Sequence, residues 1–173
     1  MALAVRLKPY WIAKYRGQKA DLHGAMLLNA PLRGANLMQA NLRGADLRGS
    51  NLFATRLDGA DLHQADLRGA FLYGACMPGS DLTGANLHGQ DLAYTWLSNA
   101  VLVHADLSGT RTSHTSLWLV DLRGADLRAA DLRGAMLYYL KWDPDRLNGA
   151  IYDARTRWPA GFDPKRYGAV KAP

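Results

Sequence analysis

The sequence predicts an all-β solenoid, in which the chain winds in stacked coils around one apolar core. From Leu22 to Leu137, leucine stands at 22 of the 24 positions that are five residues apart. Alanine stands two residues before these positions in 16 cases, and glycine stands two residues after them in 13 cases. A pattern this regular over 120 residues indicates one repeated structural unit rather than a mixture of helices and strands.

A period of five fits neither regular element. On an α-helix, five residues advance by about 140°, so the leucines would spiral around every side. On a flat strand, an odd step places successive leucines on opposite faces. The leucines reach a common core only if the chain turns a corner in every repeat, and glycine, asparagine and aspartate accept the turn conformations that such corners need. The coils then stack about 4.8 Å apart through parallel backbone hydrogen bonds.

The repeats resemble a known family. Residues 45–49 and 65–69 both read A-D-L-R-G, which is similar to the consensus of the pentapeptide-repeat family. The resemblance covers residues 20–139 and implies a right-handed parallel quadrilateral β-helix with four repeats in each coil, and therefore about six coils. Aromatic residues twenty apart, such as Phe53 and Tyr73, agree with four repeats per coil.

The N-terminal segment, residues 1–19, holds five lysine or arginine residues and no acid. Pro9 suits the first position of a helix and Gly17 suits the position just past its end. This segment is therefore predicted to be a short capping helix over the first coil.

The C-terminal segment, residues 140–173, loses the leucine register and is predicted to be an irregular or helical C-terminal cap. Asp163 followed by Pro164 has the sequence of an N-cap and first position of a helical turn, which Gly168 would end. An apolar plug on the last coil is expected from three aromatic residues: Trp142, Trp158 and Phe162. The predicted organisation is thus a cap over 1–19, a β-helix over 20–139 and a cap over 140–173.

The residues that could carry chemistry are scattered. Cys76 is the only cysteine, which excludes an internal disulfide and a thiolate metal site. The five histidines do not cluster, and the sequence shows no nucleophile–base pair and no phosphate-binding loop. Aspartates before the repeat centres are expected to accept turn N–H groups, with arginines bridging neighbouring coils. We therefore expect no enzyme activity, no cofactor and no metal.

One polar group of residues is expected inside the rod. Thr112 interrupts a column of leucines, and Gln90 and Thr110 fall on the same side. Buried polar groups need hydrogen-bond partners, so these three residues are predicted to bond to one another.

Four repeats per coil assign each outward-facing residue to one of four sides. Two adjacent sides are rich in Asp, Asn, Arg and Gly and are expected to be solvated. The other two carry nine large apolar residues, which form the candidate interaction surface: Phe53, Phe71, Tyr73, Tyr94, Trp96, Trp118, Leu119, Tyr138 and Tyr139. Trp96, Trp118 and Tyr138 are expected to stack into one strip. The surface is expected to be covered by the C-terminal segment, to form a homodimer or partner interface, or to be scattered exposed aromatics.

The formal net charge of +6 comes from the two ends of the chain. Residues 20–139 contain nine arginines and eleven aspartates, which is a net charge of −2. This distribution makes nucleic acid an unlikely partner, apart from weak binding through the basic ends. The absence of a long apolar run predicts no membrane span, and the single cysteine suits the cytoplasm.

The sequence predicts a non-catalytic structural or protein-interaction module with an unidentified protein partner. The resemblance implies an alternative. Some pentapeptide-repeat proteins interact with DNA gyrase or another type II topoisomerase and give resistance to inhibitors by mimicking duplex DNA. Such proteins have an acidic rod, and this rod is close to neutral.

Overall fold

The computed structural model describes residues 17–173, which wind into a stack of coils joined by parallel backbone pairing. Bridges join residues twenty apart, as in Asp21 with Asn41 and Asn41 with Asp61. Each repeat has five residues, so four repeats complete one coil. The capping helix predicted for the N-terminal segment falls on residues 1–16, outside the described residues.

The rod has four sides, which we number along the chain by the bridging residue that precedes each repeat centre. Sides 1, 2 and 3 begin with Asp21, Met26 and Pro31. The bridging residues of side 4 are Asn36, Arg56, Cys76, Trp96, Ser116 and Met136. Between two sides lies a corner of two turn residues. Trp96 therefore lies in the middle of a side, whereas Trp118, directly after a centre, lies in a corner.

The core consists of the leucine columns, and most of these side chains have no exposed surface. Burying a leucine contributes about 1.5–3 kcal/mol of transfer free energy, so the columns are the main stabilising term. The corners are closed by backbone hydrogen bonds, and an Asp or Asn before the repeat centre adds a side-chain bond. Asp46 Oδ1, for example, accepts the backbone N–H of Arg48 at 3.2 Å. The residue after Arg48, Gly49, has a left-handed backbone with φ of 65°.

Among residues 17–173, the regular elements are short and lie near the C-terminus. Strand β1 (Asp121–Leu122) pairs in parallel with β2 (Lys141–Trp142). Strand β3 (Ile151–Tyr152) pairs in parallel with β4 (Val170–Lys171). Two 3₁₀ helices complete the set, Pro144–Arg146 and Pro164–Tyr167.

The second 3₁₀ helix lies where the sequence predicted a helical turn. Asp163 is its N-cap and accepts the backbone N–H of Lys165, and Gly168 ends it with a φ of 78°. The turn therefore begins and ends at the predicted residues.

Coil pairing does not stop at the predicted boundary after residue 139. Lys141 pairs with Asp121, and Ile151 pairs with Asp131. Leu147 is fully buried although it lies outside the regular repeats. The segment 140–173 thus continues the stack, because the free backbone edge of the last leucine coil is satisfied by further chain in the same register.

The corner before Arg157 contains one extra residue, since Met136 pairs with Arg157 rather than with the residue twenty further on. Asp153 holds this corner. Its Oδ1 accepts the backbone N–H groups of Gly134, Arg155 and Thr156, each at 3.0 Å. Burial alone would raise the pKa of Asp153, but the hydrogen bonds from Arg155, Gly134 and Thr156 outweigh it and hold the pKa well below its ordinary value.

Asp153→Asn is expected to lower the free energy of unfolding at pH 7 by about 1–3 kcal/mol, because the charged acceptor is lost. The pKa of Asp153 is lower in the folded protein than in the unfolded chain, where it is about 3.9. Its carboxylate therefore stabilises the fold above about pH 3.9, and this stabilisation is lost as the pH falls further. The difference between the two proteins should therefore shrink below about pH 4. Urea unfolding at pH 7 and pH 3 measures it, with Asp91→Asn at a half-exposed side chain as the control. A difference independent of pH would contradict this role.

The polar group inside the rod differs from the prediction. Thr112 Oγ1 donates to the carbonyl of Asp131 at 3.0 Å, and Thr110 Oγ1 donates to the carbonyl of Leu107 at 2.7 Å. Gln90 Nε2 donates to a backbone carbonyl of its own corner. The expectation that these side chains bond to one another is wrong, because inward-facing hydroxyls lie closer to backbone carbonyls than to each other.

Thr112→Leu is expected to leave the free energy of unfolding unchanged within about 1 kcal/mol, or to raise it. The Asp131 carbonyl keeps a partner in the variant, since the backbone N–H of residue 112 also donates to it at 2.9 Å. Leucine restores the residue that its column has elsewhere. Urea unfolding measures the change, and a loss above about 2 kcal/mol would show that the hydroxyl is essential.

Candidate protein-interaction surface

Side 4 carries an exposed apolar surface along the later coils. Trp96, at its centre, exposes 63% of its surface, and Met136, two coils further, exposes 43%. In the same column, Cys76 lies one coil before Trp96 and Ser116 lies between Trp96 and Met136, and both are half-buried. Side 4 from Cys76 to Met136, together with the two corners beside it, is called the apolar side below.

A ladder of rings forms the corner between side 3 and side 4. Phe53 stacks on Tyr73 with centroids 5.9 Å apart, and Tyr73 lies 5.2 Å from Tyr94. The ring of His114 continues the stack at 5.1 Å from Tyr94. Arg33 closes the other end, with its guanidinium 4.3 Å from the Phe53 centroid. Ring faces are occupied by neighbouring rings, so the ladder presents ring edges to solvent and restrains its own side chains.

The opposite corner, which follows side 4, carries four more exposed apolar residues: Trp118, Leu119, Tyr138 and Tyr139. Trp118 and Tyr138 lie at this corner, while Trp96 lies on the flat side. Among the described residues, the stacks along the rod involve the ladder rather than these three residues, so the expected single strip is not formed. The chain turns between the position before a repeat centre and the position after it, which separates the side chains.

Eight of the nine residues predicted for the interaction surface lie on side 4 or at one of its corners. The ninth, Phe71, lies on side 3 and is 65% exposed. Met136 also belongs to the apolar side and was not among the predicted residues. Its position before a repeat centre, where the sequence usually has Asp or Asn, was the signal for it.

Three bulky residues of the apolar side have a left-handed backbone. Tyr94, Leu119 and Tyr139 have φ values of 59°, 57° and 53°, at the corner position where most repeats have glycine. This conformation costs roughly 1–2 kcal/mol for a residue other than glycine. The same conformation occurs at nine other residues that are not glycine, such as Ala54 and Ala129, so it belongs to the repeat rather than to the apolar side alone.

The C-terminal segment leaves the apolar side open. It stacks on the end of the rod, where Trp142 and Trp158 lie 4.7 Å and 5.3 Å from the ring of Phe162. These aromatics form the plug that the sequence predicted. Trp118 remains 47% exposed. The expectation that the C-terminal segment folds back over the surface is wrong, because the segment is used to continue the coils.

The aspartates of sides 1 to 3 are paired mainly with arginines of their own repeats. Arg48 binds Asp46 through Nε and Nη2 at 2.8 Å and 2.7 Å. This hydrogen-bonded pair holds the pKa of Asp46 below its ordinary value. Bridges between coils are secondary, as in Arg48 with Asp66 at 3.7 Å. The expectation of arginines bridging coils is thus met only in part, because the bidentate contact within one repeat is shorter.

The pairing of an aspartate with the arginine two residues later recurs along the rod, so few unpaired carboxylates lie next to one another in neighbouring coils. The same arrangement of Asp with an Arg two residues on is found at Asp66–Arg68, Asp121–Arg123, Asp126–Arg128 and Asp131–Arg133. The rod therefore presents alternating charges rather than a continuous acidic surface.

One group of polar residues was missed by the sequence analysis. The coils bring His88 Nδ1 to 2.8 Å from Ser108 Oγ, which donates to Asp106 Oδ1 at 2.6 Å. A serine nucleophile needs a base oriented by a third residue, whereas here Asp106 binds the serine itself. Ser108 stands where other repeats have an arginine beside the aspartate. The twenty-residue spacing of His88 and Ser108 was the available signal.

Within residues 17–173, no three side chains of His, Cys or Asp are placed to hold a metal ion together. No helix in the same range is both long enough and apolar enough to span a bilayer.

Coils of four five-residue repeats, with an exposed apolar side, define a β-helical repeat protein. The model of the pentapeptide repeats family matches eight copies over residues 18–52, 45–84, 80–118 and 113–138. The chain belongs to the pentapeptide repeat family.

Solved structures of the family are similar to this chain. HetL, a pentapeptide repeat protein involved in heterocyst differentiation regulation from the cyanobacterium Nostoc sp. strain PCC 7120, is 30% identical over 88% of this chain and 68% of HetL, with a TM-score of 0.36. QnrB1, a plasmid-mediated fluoroquinolone resistance protein, is 20% identical over 88% and 67%, with a TM-score of 0.44. Rfr23 from the cyanobacterium Cyanothece 51142 is 24% identical over 81% and 88%, with a TM-score of 0.23. No curated protein matches the chain.

Proposed function

We propose that the protein is a non-catalytic interaction module and that its apolar side docks a protein partner. The observation that carries the proposal is the exposure of Trp96 on the flat side 4 and of Trp118 and Tyr139 at the corner that follows it. Apolar patches of this kind on a folded chain mark contact surfaces. Trp and Tyr are also the residues that most often dominate binding energy at protein interfaces.

The charge distribution supports docking at the same place. From Cys76 to Tyr139, side 4 and the corner that follows it contain no charged residue. The other three sides carry the Asp–Arg pairs. Interface cores are depleted in charge and enriched in aromatic residues, so the apolar side has the composition of such a core.

Topoisomerase protection by DNA mimicry fits the described charges less well. Mimicry of a duplex needs rows of unneutralised negative charge, since DNA carries about one charge per 1.7 Å of its axis. In this chain the carboxylates of Asp46, Asp66 and Asp126 each hold an arginine. We therefore place the interaction on the apolar side rather than on an acidic side.

Trp96→Asp combined with Trp118→Arg is expected to weaken partner binding by at least about tenfold while leaving the urea unfolding curve nearly unchanged. Both side chains are exposed, so the substitutions remove contact area without disturbing the core. Affinity capture from the native cell, followed by quantitation of bound proteins, makes the measurement.

The matched control is Val101→Asp. Val101 precedes a repeat centre on side 1, where the repeats of the other coils mostly have Asp or Asn. This variant should bind partners like the unmodified protein. Equal binding by all three proteins would contradict the proposed function.

A further inference from the structure

We propose that the partner docked on the apolar side is a second copy of this chain, with the two rods antiparallel. This inference rests on the function proposed above and names its partner. It is carried by the order of large and small side chains on side 4 and at its following corner.

Large and small side chains alternate along the middle of side 4 in the order Cys76, Trp96, Ser116 and Met136. Consider a twofold axis that lies in the interface, perpendicular to both rods, at the level between Trp96 and Ser116. It reverses the order of these residues in the second copy. Trp96 then faces Ser116 of the second copy, and Met136 faces Cys76 of the second copy. Each large side chain meets a small one, which is the complementarity that packed interfaces show.

The corner that follows side 4 has the same complementarity. The large residues of this corner lie in the coils of Ser116 and Met136, and its smaller residues lie in the coils of Cys76 and Trp96. The same axis opposes each large residue to a smaller residue of the second copy: Trp118 to Ser98, Leu119 to Asn99, Tyr138 to Pro78 and Tyr139 to Gly79. One axis therefore satisfies both the side and the corner.

Charge permits this contact and disfavours the equivalent contact on the other sides. A twofold interface places a surface against itself, so a charged side brings like charges together unless every charge is offset. The uncharged stretch of side 4 avoids this cost. Beyond the ends of this stretch, the same axis opposes Arg157 to Arg56 of the second copy, and Arg56 is itself paired with Asp58 at 3.5 Å.

A parallel arrangement of the rods fits less well. An axis along the rod places each residue in the middle of side 4 against its own copy, so Trp96 would face Trp96 and Met136 would face Met136 of the second copy. Two large side chains would then meet at the same level, and the coils between them would leave gaps. The antiparallel arrangement distributes volume evenly along the contact.

The register can be tested by crosslinking thiols of the full-length protein. Packed sheets lie about 10 Å apart, which is too far for a disulfide, so the reagent is a short bismaleimide of similar reach. Met136→Cys places a second thiol opposite Cys76 of the second copy. We expect this variant to give a covalent dimer on a denaturing gel.

Two controls have one thiol in each chain. The unmodified protein has only Cys76, and the Cys76→Ser, Met136→Cys variant has only the thiol at position 136. Neither should crosslink in the antiparallel register, since equivalent positions lie far apart along the rods. A covalent dimer in either control would overturn the register.

Sedimentation of the purified protein tests self-association itself. The unmodified protein is expected to reach twice the mass of one chain with rising concentration, and Trp96→Asp with Trp118→Asp, which brings like charges together across the contact, should weaken dimerisation by at least about 100-fold. A monomer at all concentrations, without crosslinking, would overturn the second copy as partner. Suppose that the protein is a monomer and that another protein binds it but does not bind the Trp96, Trp118 variant. The proposed function would then stand without the second copy as partner. If the variant loses no binding protein, the proposed function and the dimer would both fail.

Discussion

A Leu67→Asp variant is expected not to fold. Leu67 is fully buried in a column with Leu47 and Leu87 above and below it, and no lysine or arginine is among the buried residues of 17–173. A buried, unpaired carboxylate costs several kcal/mol, in addition to the lost transfer free energy of leucine. Since a domain is stable by only about 5–15 kcal/mol, this one change removes most or all of the stability. Circular dichroism and urea unfolding of the purified variant make the measurement.

Leu119→Asp is the control for this variant. Leu119 has the same side chain but is 43% exposed at a corner with a left-handed backbone, a conformation that Asp tolerates. It should unfold within about 1 kcal/mol of the unmodified protein. A Leu67→Asp protein with a cooperative unfolding transition would show that the register assigned to the repeats is wrong.

Deletion of residues 141–173 is expected to cause aggregation or loss of the cooperative unfolding transition. The deletion removes β2 and leaves the backbone edge of the preceding coil unpaired. It also removes Leu147, Tyr152 and the aromatic plug, which exposes the last leucine coil. Free strand edges next to apolar surface promote association between chains.

A separate measurement shows whether the deletion acts at the coil end or by uncovering the apolar side. If the segment caps the coil end, as the structure indicates, hydroxyl-radical labelling of Trp96, read by mass spectrometry, should be the same in any folded fraction as in the full-length protein. Tyr139→Ser, which changes a residue with 75% exposure and keeps the segment, serves as the control and should remain soluble. A truncated protein as stable as the full-length chain would contradict the role of this segment in the stack.

The core of the fold is predictable because one residue type carries it. Every leucine column follows from a five-residue period and a chain that turns at each repeat. The helical turn at Pro164 was also predictable, since an aspartate before it and Gly168 after it are local signals. Such features depend on neighbouring residues in the chain and need no knowledge of packing.

Other features depend on contacts between coils and were not predictable. The ring ladder passes from Tyr73, directly after a repeat centre, to Tyr94, two residues after one, so no single spacing describes it. The contact of Ser108 with Asp106 replaces an arginine and depends on side-chain reach. The use of the segment after Leu140 as further coil depends on an unpaired edge rather than on a repeat motif.

A photoreactive residue tests whether the apolar side is the docking surface. p-Benzoylphenylalanine is placed at position 96, or at position 101 on side 1, in the full-length protein in its native cell. Irradiation is expected to give a defined crosslinked product from position 96 and none from position 101. Equal products from both positions, or none from position 96 while position 101 reacts, would contradict the claim.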